Sequence, residues 1–162
     1  MQVSFQTPTY RFIAEFNQTR AATEILKNLP IDSTVEQWGD ELYCKIGIMA
    51  SGIPLTLNVN VGDVAYWPEG KCICVFFGRT PRSNTEKPMP DGPVVIIGKT
   101  LAEPVELRQI KAGDSIKIMS ILPHVAGTDN DCAADRKLTQ EEIDVLVHRL
   151  LAEKQKREKN NF

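Results

Sequence analysis

Residues 62–83, GDVAYWPEGKCICVFFGRTPRS, constrain the fold of this chain more than any other segment. The aromatic pair Tyr66 and Trp67 ends one extended run, and Pro68 and Gly70 then predict a tight turn in which Gly70 tolerates a positive φ. The next run, residues 72–77, is apolar at every position. Because successive side chains of a strand point to opposite faces, both faces of this strand are apolar, which indicates a strand covered on both sides.

Shorter predicted elements surround this hairpin. Alternation and β-branched residues predict strands at 10–16, 35–37, 41–48, 56–60, 93–98 and 115–122, with a hairpin turn at 38–40. The helical period of residues 19–29 predicts an amphipathic helix with Asn17 or Thr19 as its N-cap and Pro30 as its stop, and residues 105–110 predict a turn of helix. These elements make about eight strands, so a closed barrel or small sandwich is economical because closure removes exposed edges.

The chain is predicted to divide into a β domain at residues 1–122, a polar linker at 123–137 and a C-terminal helix with a charged tail at 138–162. Thr139 and Glu142 have the spacing of a capping box. An apolar stripe follows at helical spacing: Ile143, Leu146, Val147 and Leu150. We favour docking of this short stripe on its own barrel, and the alternative is pairing with a second copy or another protein.

Composition excludes several classes of function. The 162 residues have a formal net charge of −2, which argues against a nucleic-acid partner. Apolar runs reach only about six residues, whereas a membrane-spanning helix needs roughly 20, so no membrane association is expected. The 4 cysteines are too few for a disulfide-built domain, and a cytoplasmic location is expected.

Three segments carry a resemblance to a known family: residues 38–43 (WGDELY), 62–83 and 93–99 (PVVIIGK). In this order and spacing they resemble the cyclophilin-like domain family of small prokaryotic, largely archaeal proteins, over roughly residues 10–120. The resemblance implies a mainly β fold, a closed barrel of about eight strands with one or two capping helices. It implies no activity, since none is established for that family.

Prolyl isomerase activity is not implied by the resemblance. Cyclophilins with that activity use arginine, glutamine, aromatic and histidine side chains in motifs of the Phe-His-Arg and Gln-Phe-Phe type. Neither motif occurs here, and His124 and His148 both lie outside the matched region. A peptidyl-prolyl isomerase-like enzyme is therefore only an alternative by fold analogy.

A pocket for a small molecule or peptide is the leading functional hypothesis. We predict that it is lined by aromatic residues, oriented by Glu41 and Arg79, and continued by the polar residues after the central strand. The predicted ligand-binding residues are Glu41, Tyr43, Tyr66, Trp67, Phe77, Arg79, Thr80 and Ser83, with Trp38 and Phe76 in the same aromatic group. The commoner role of such aromatics is to fill a small barrel, and Glu41 with Arg79 can equally form a structural ion pair.

Other chemistries have weaker signals. An anion could be held by the polar residues after the central strand, Arg79, Thr80, Arg82 and Ser83. Because they show no phosphate-loop pattern, we favour an ordinary polar loop between two strands. Cys72 and Cys74 lack further zinc ligands at typical spacing, and His124 with Asp129, Asp131 and Cys132 lies in the predicted linker without regular spacing. The sequence predicts no metal, no cofactor and no catalytic residue. The aromatic-rich hairpin with Glu41 and Arg79 beside it favours a non-catalytic binding module over an enzyme. A further alternative is a protein-interaction module that acts through the C-terminal helix.

Overall fold

The computed structural model describes residues 1–121 and 140–159. The chain separates into two compact units, Met1–His124 and Val125–Phe162. The predicted linker at 123–137 and the predicted cluster around His124 lie outside the described residues. Among the residues described, no helix is both long enough and apolar enough to cross a membrane.

The first unit is a closed antiparallel barrel of eight strands. In chain order its elements are β1 (Gln2–Gln6), β2 (Arg11–Phe16), α1 (Arg20–Leu26), β3 (Ile31–Gln37), β4 (Glu41–Lys45), β5 (Asp63–Trp67), β6 (Cys72–Phe76), β7 (Val95–Thr100), α2 (Pro104–Leu107) and β8 (Ser115–Ser120). Around the barrel the order is β1-β2-β7-β5-β6-β4-β3-β8, and β8 pairs with β1 to close it. The predicted mainly β fold and its closure are confirmed.

The predicted number of strands is right, although one of the predicted strands does not form and another takes its place. Residues 56–60 form no strand: Thr56 makes an isolated bridge with Val94, and the exposed Leu55 and Leu57 find no sheet face to pack on. The eighth strand is β1, which was not predicted. Its side chains Val3 and Phe5 are buried. Their spacing of two residues was the short strand-like signal that the sequence offered for β1.

The predicted helix at 19–29 is shorter in the structure. Thr19, rather than Asn17, is the N-cap of α1, and its hydroxyl accepts a hydrogen bond from the Ala22 N–H. The helix ends at Leu26, and the following turn reaches Pro30, which cannot continue it. Ala21, Ala22 and Ile25 are buried in the barrel core, so α1 packs there with its small-residue face.

The barrel interior and part of its outer surface are both apolar. The interior cluster takes one set of alternate side chains from β6, Ile73 and Val75, together with Phe77. A second cluster contains the opposite set, Cys72, Cys74 and Phe76. The prediction that both faces of the central strand are covered is therefore confirmed, and this second, outer cluster forms the base of the site described next.

The second unit contains α3 (Gln140–Lys159), which agrees with the predicted C-terminal helix. Thr139, the predicted cap, lies outside the described residues. Within α3 the apolar side chains Ile143, Leu146 and Val147 are exposed. The side chain of Leu150 is not among those described.

Candidate functional site

Three neighbouring strands, β4, β6 and β5, position the candidate site through their register. Tyr43 pairs with Cys74, which pairs with Ala65 on its other side. Glu41 lies two residues from Tyr43, opposite Phe76. Because side chains alternate along a strand, Glu41 and Tyr43 share the outer face with Cys74.

A pocket of about 230 Å³ lies over this outer face. Its lining comes from the β3–β4 turn, from the three strands and from the loop before β7: Trp38, Glu41, Tyr43, Trp67, Cys74, Pro90, Asp91, Gly92 and Val94. Three of these side chains are large aromatics and two are carboxylic acids. The combination of apolar walls with a few polar groups is typical of small-molecule sites.

The Trp38 wall is set by a tight hairpin turn, as the sequence predicted. The Trp38 N–H donates to the Glu41 carbonyl at 2.9 Å, and Gly39 has φ +61°, which favours glycine. A Cβ at Gly39 would lie 2.9 Å from the carbonyl oxygen of Arg79. The turn therefore packs directly on the segment after β6, and this fixes Trp38 beside Glu41.

Glu41 is the most unusual polar residue of the pocket. Only 7% of it is exposed, and its Oε2 atom has no hydrogen-bond partner. Burial raises the pKa of Glu41 from 4.5 to about 7; a hydrogen bond with Cys74 lowers it in part, and the charge of Asp91 raises it further. Near neutral pH the protonated and ionised forms of this carboxyl group are therefore both populated, and none of the described residues that line the pocket is a cation that would hold it ionised.

Trp67 presents a second polar atom without a partner, its buried Nε1. A Cβ at Gly70 would overlap the indole ring, and a Cβ at Gly92 would lie 3.1 Å from Nε1. The ring thus lies between two glycines that leave it room. The predicted turn at Pro68 and Gly70 is present, but the residue with positive φ is Lys71 (φ 51°), and Gly70 is needed for ring contact instead.

The loop between β6 and β7 closes one side of the pocket. The buried Thr80 hydroxyl donates to the Met89 carbonyl at 2.5 Å, and the Thr80 N–H donates to the Ser83 hydroxyl at 3.0 Å. Arg82 Nη1 donates to both the backbone carbonyl and the carboxylate of Asp91, at 2.6 and 3.1 Å. These bonds hold residues 90–92 against the outer face, so the loop is an ordered wall of the site.

The thiols around the site are not activated. Burial raises the pKa of Cys74 well above its usual range, and the charge of Glu41 raises it further. The pKa of Cys72 is also raised, chiefly by burial. Tyr43 donates its hydroxyl proton to Glu36 at 2.8 Å, and that bond, with burial, raises the pKa of Tyr43 to about 12. No cluster of three or more His, Cys, Asp or Glu suited to a metal ion occurs within residues 1–121 or 140–159.

Comparison with known proteins identifies the family of this barrel. A sequence model of the cyclophilin-like family matches residues 1–119, which include all eight strands except the last residue of β8. The chain belongs to the cyclophilin-like family. Its fold and the resemblance predicted from three sequence segments are thereby confirmed. A search of curated proteins found no match.

Solved structures with a similar fold include the following two. One is the solution structure of a hypothetical protein from Archaeoglobus fulgidus, with 30% identity and a TM-score of 0.63; the match covers 74% of this chain and 93% of that chain. The other is McbB in complex with tryptophan, with 16% identity and a TM-score of 0.56. That match covers 93% of this chain and 54% of McbB, and at this identity it shows the fold alone.

The structure brings together only part of the predicted ligand-binding set. Glu41, Tyr43 and Trp67 line the pocket, as does Trp38 from the same aromatic group. Tyr66 and Phe77 instead lie in the barrel interior, where the Tyr66 hydroxyl donates to the Ile48 carbonyl. Since Tyr66 and Trp67 are adjacent in one strand, alternation alone could have separated them.

The remaining predicted residues lie outside the pocket lining. Arg79 is exposed and pairs with Glu86 at 3.4 Å, so it forms no ion pair with Glu41. Thr80 and Ser83 support the pocket loop through their hydrogen bonds and do not line the pocket. The lining residues that were not predicted are Cys74, Pro90, Asp91, Gly92 and Val94. The face of Cys74 was readable from alternation, whereas the fold of the long loop had no sequence period to reveal it.

Proposed function

We propose that this cyclophilin-like protein is a non-catalytic binding module whose outer pocket takes a small molecule or a side chain of a peptide. The observation that carries the proposal is the pair of buried polar atoms without partners, Glu41 Oε2 and Trp67 Nε1, which belong to two residues lining one preformed pocket. Buried polar atoms are paired in the great majority of cases. A ligand with complementary groups would pair both.

The energetics favour a ligand for this arrangement. An unsatisfied buried polar group costs about 1–3 kcal/mol, and more when it is charged. The pocket walls are already in place, because Trp38 is held by a tight turn and Trp67 lies between Gly70 and Gly92. Little ordering free energy is therefore lost on binding, and each new hydrogen bond contributes directly to affinity.

The non-catalytic part of the proposal is supported by the raised pKa values of the thiols, since the thiolate is the nucleophilic form. A proline-isomer exchange assay on a labelled peptide should show no acceleration at high protein concentration. Acceleration that disappears in Glu41→Gln or Trp67→Phe would contradict this part and would favour an enzyme.

The chain has 2 tryptophans, and both line the pocket, so intrinsic fluorescence reports on this site directly. We would map amide chemical shifts of the labelled protein against a mixed panel of metabolites and proline-containing peptides. Tryptophan belongs in that panel because McbB, which shares the fold, was solved in complex with it. We expect amide shifts at Glu41, Tyr43, Asp91, Gly92 and Val94 together with a change in fluorescence.

Variants then test whether the mapped pocket holds the ligand. Tyr43→Ala and Trp67→Ala should weaken binding of any panel member that shifts these residues, by about tenfold or more. Arg79→Ala is the matched control, because Arg79 is exposed nearby and does not line the pocket. Equal affinity in all three folded variants, or a panel that leaves the pocket residues unshifted, would refute the proposal.

A second candidate function is association through α3, for which the supporting observation is the exposure of Ile143, Leu146 and Val147. Together with Leu150, these residues form the stripe proposed for pairing with a second copy. Light scattering on the full chain and on a truncation after Lys137 tests it. If both proteins have the same number of chains per particle, this candidate is removed.

The proposed location is the cytoplasm. Cys44, Cys72 and Cys74 are free, buried thiols, which a reducing compartment suits. Burial raises the pKa of Cys44 to about 12, so it is also inert there. Fractionation of expressing cells, with the protein recovered outside the soluble cytoplasmic fraction, would contradict this location.

A further inference from the structure

We propose that the pocket recognises an organic cation, a protonated amine or amidine carried on an apolar body, with its charged head at Glu41. This inference rests on the proposed binding function and names the ligand class. Glu41 supplies the acceptor, because its side chain lines the pocket, is 7% exposed and leaves Oε2 without a partner. The apolar body would lie against Trp38, Tyr43 and Trp67, and a ligand that satisfies the whole site would also carry a hydrogen-bond acceptor on that body for Trp67 Nε1.

The charge of the lining favours a cation. Both ionisable acids of the lining, Glu41 and Asp91, are negative when deprotonated, and among the described lining residues none is Lys, Arg or His. The nearby cation Arg82 is already bound to Asp91 by two hydrogen bonds. Arg79 is likewise engaged by Glu86, outside the lining. The carboxyl group of Glu41 is therefore the acid of the lining that has no bound cation: it would repel a ligand anion when ionised, and it would pair with a ligand cation.

The aromatic walls add a second attraction of the same sign. A cation within about 6 Å of an aromatic ring face gains roughly 0.5–2 kcal/mol, most with tryptophan. Three of the nine lining residues are Trp or Tyr. The carboxyl group and the aromatic rings of the pocket therefore both favour a positively charged ligand. The apolar part of the lining suits an aryl or alkyl body.

Proton linkage distinguishes this ligand class from its rivals. Within the described part of the chain, the titratable groups that interact with Glu41 are Cys74 and Cys72 on β6, Tyr43 on β4 and Asp91 on the loop, and none of these four is a cation. A bound ammonium would stabilise the ionised carboxylate and so release its proton. A carboxylate ligand would instead need the protonated form of Glu41 and would take up a proton. The sign of the proton change thus reports the charge of the preferred ligand.

The test uses three probes of nearly equal size: benzylamine, benzyl alcohol and benzoate. Each is titrated to about 20 mM into the full chain with tryptophan fluorescence as the readout, a range that detects even millimolar affinity. We expect benzylamine to bind about tenfold or more tightly than benzyl alcohol, and benzoate to bind weakest, because a charge-assisted hydrogen bond exceeds a neutral one. Calorimetry in buffers of different ionisation enthalpy should show proton release with benzylamine at about pH 6.

Variants connect the preference to Glu41. Glu41→Gln keeps the side-chain shape and removes the charge, so it should abolish both the benzylamine preference and the proton release. Glu86→Gln is the matched control, since Glu86 is an exposed acid on the same loop outside the lining. It should leave both readouts unchanged.

The outcomes separate this inference from the function on which it rests. Equal or tighter binding of benzyl alcohol or benzoate, or proton uptake, overturns the cation inference but leaves a binding pocket established. Binding of none of the three overturns the inference as well, and the chemical-shift panel then decides independently whether the pocket binds another class. A benzylamine preference that persists in folded Glu41→Gln also overturns it.

Discussion

Glu41 should make this protein less stable as pH rises, and Glu41→Gln should remove that loss. The pKa of Glu41 is raised from 4.5 to about 7 in the folded chain, mainly because burial disfavours the charged form. Between these two values the folded state binds more protons than the unfolded state, so the free energy of unfolding falls with increasing pH. The stabilising contribution is full below pH 4.5 and is lost as pH rises through about 7.

The size of the loss follows from the shift. Each pKa unit corresponds to about 1.4 kcal/mol, so the full effect is about 3 kcal/mol, most of it between about pH 5 and pH 8. Glu41 is 7% exposed, and solvent screening therefore reduces this figure little. Set against a typical total stability of about 5–15 kcal/mol, the effect is large enough to measure by urea unfolding.

The assay is urea unfolding of wild type and Glu41→Gln at several pH values, followed by tryptophan fluorescence. Other titrating groups act equally in both proteins, so the difference between them isolates Glu41. We expect Glu41→Gln to gain about 2–3 kcal/mol relative to wild type between about pH 5 and pH 8. Glu86→Gln should run parallel to wild type, because that acid is exposed. Parallel curves for Glu41→Gln as well would refute the argument that burial raises the pKa of Glu41.

Three further substitutions separate binding from folding. Tyr66→Phe should destabilise the barrel by about 1–3 kcal/mol in urea unfolding, since it removes two partly buried hydrogen bonds, and it should leave ligand affinity unchanged. Thr80→Val should both destabilise by about 1–2 kcal/mol and weaken binding of any ligand found for the pocket, because it frees the loop that carries residues 90–92; unchanged shifts in that loop by NMR would contradict this. Gly92→Ala should weaken binding by about tenfold with little change in the unfolding midpoint, because its Cβ would lie 3.1 Å from Trp67 Nε1. Gly52→Ala, whose Cβ would make an ordinary contact at 3.4 Å, is its control, and equal affinities of the two variants would count against a role for Nε1.

Most of the fold was predictable because strand alternation and turn residues are local signals. The apolar run of β6 has both faces buried, and the turn at residues 38–40 joins β3 to β4 as expected. The errors occurred where the availability of a neighbouring strand decides whether a segment forms a strand. Residues 56–60 have strand-like composition but face no free sheet edge except at Thr56, whereas the short β1 is a strand because β2 and β8 pair with it on both sides.

The site was less predictable than the fold, for a physical reason. Glu41, Tyr43 and Trp67, which residue type alone singled out, lie in the lining of the pocket because strand geometry determines where they point; their role in binding stays a prediction. Residues 90–92 reach the pocket through side-chain hydrogen bonds of Thr80 and Arg82 across a loop of irregular backbone. Such bonds link residues nine positions apart and leave no period in the sequence.

The location of the pocket on the outside of the barrel follows from how tightly the inside is filled. Phe5 and Phe12 stack at 4.8 Å between ring centroids, and the void beside them is about 10 Å³, close to the minimum space that a single water needs. Barrels of eight strands have an interior that side chains can fill, and here they do. The proposed ligand site is therefore on the outer face, where the loop stands off the sheet and leaves about 230 Å³ beside a carboxyl oxygen, Glu41 Oε2, that has no hydrogen-bond partner. Because inner and outer side chains alternate along the same strands, substitutions such as Tyr66→Phe and Trp67→Ala, one residue apart, should affect stability and binding separately.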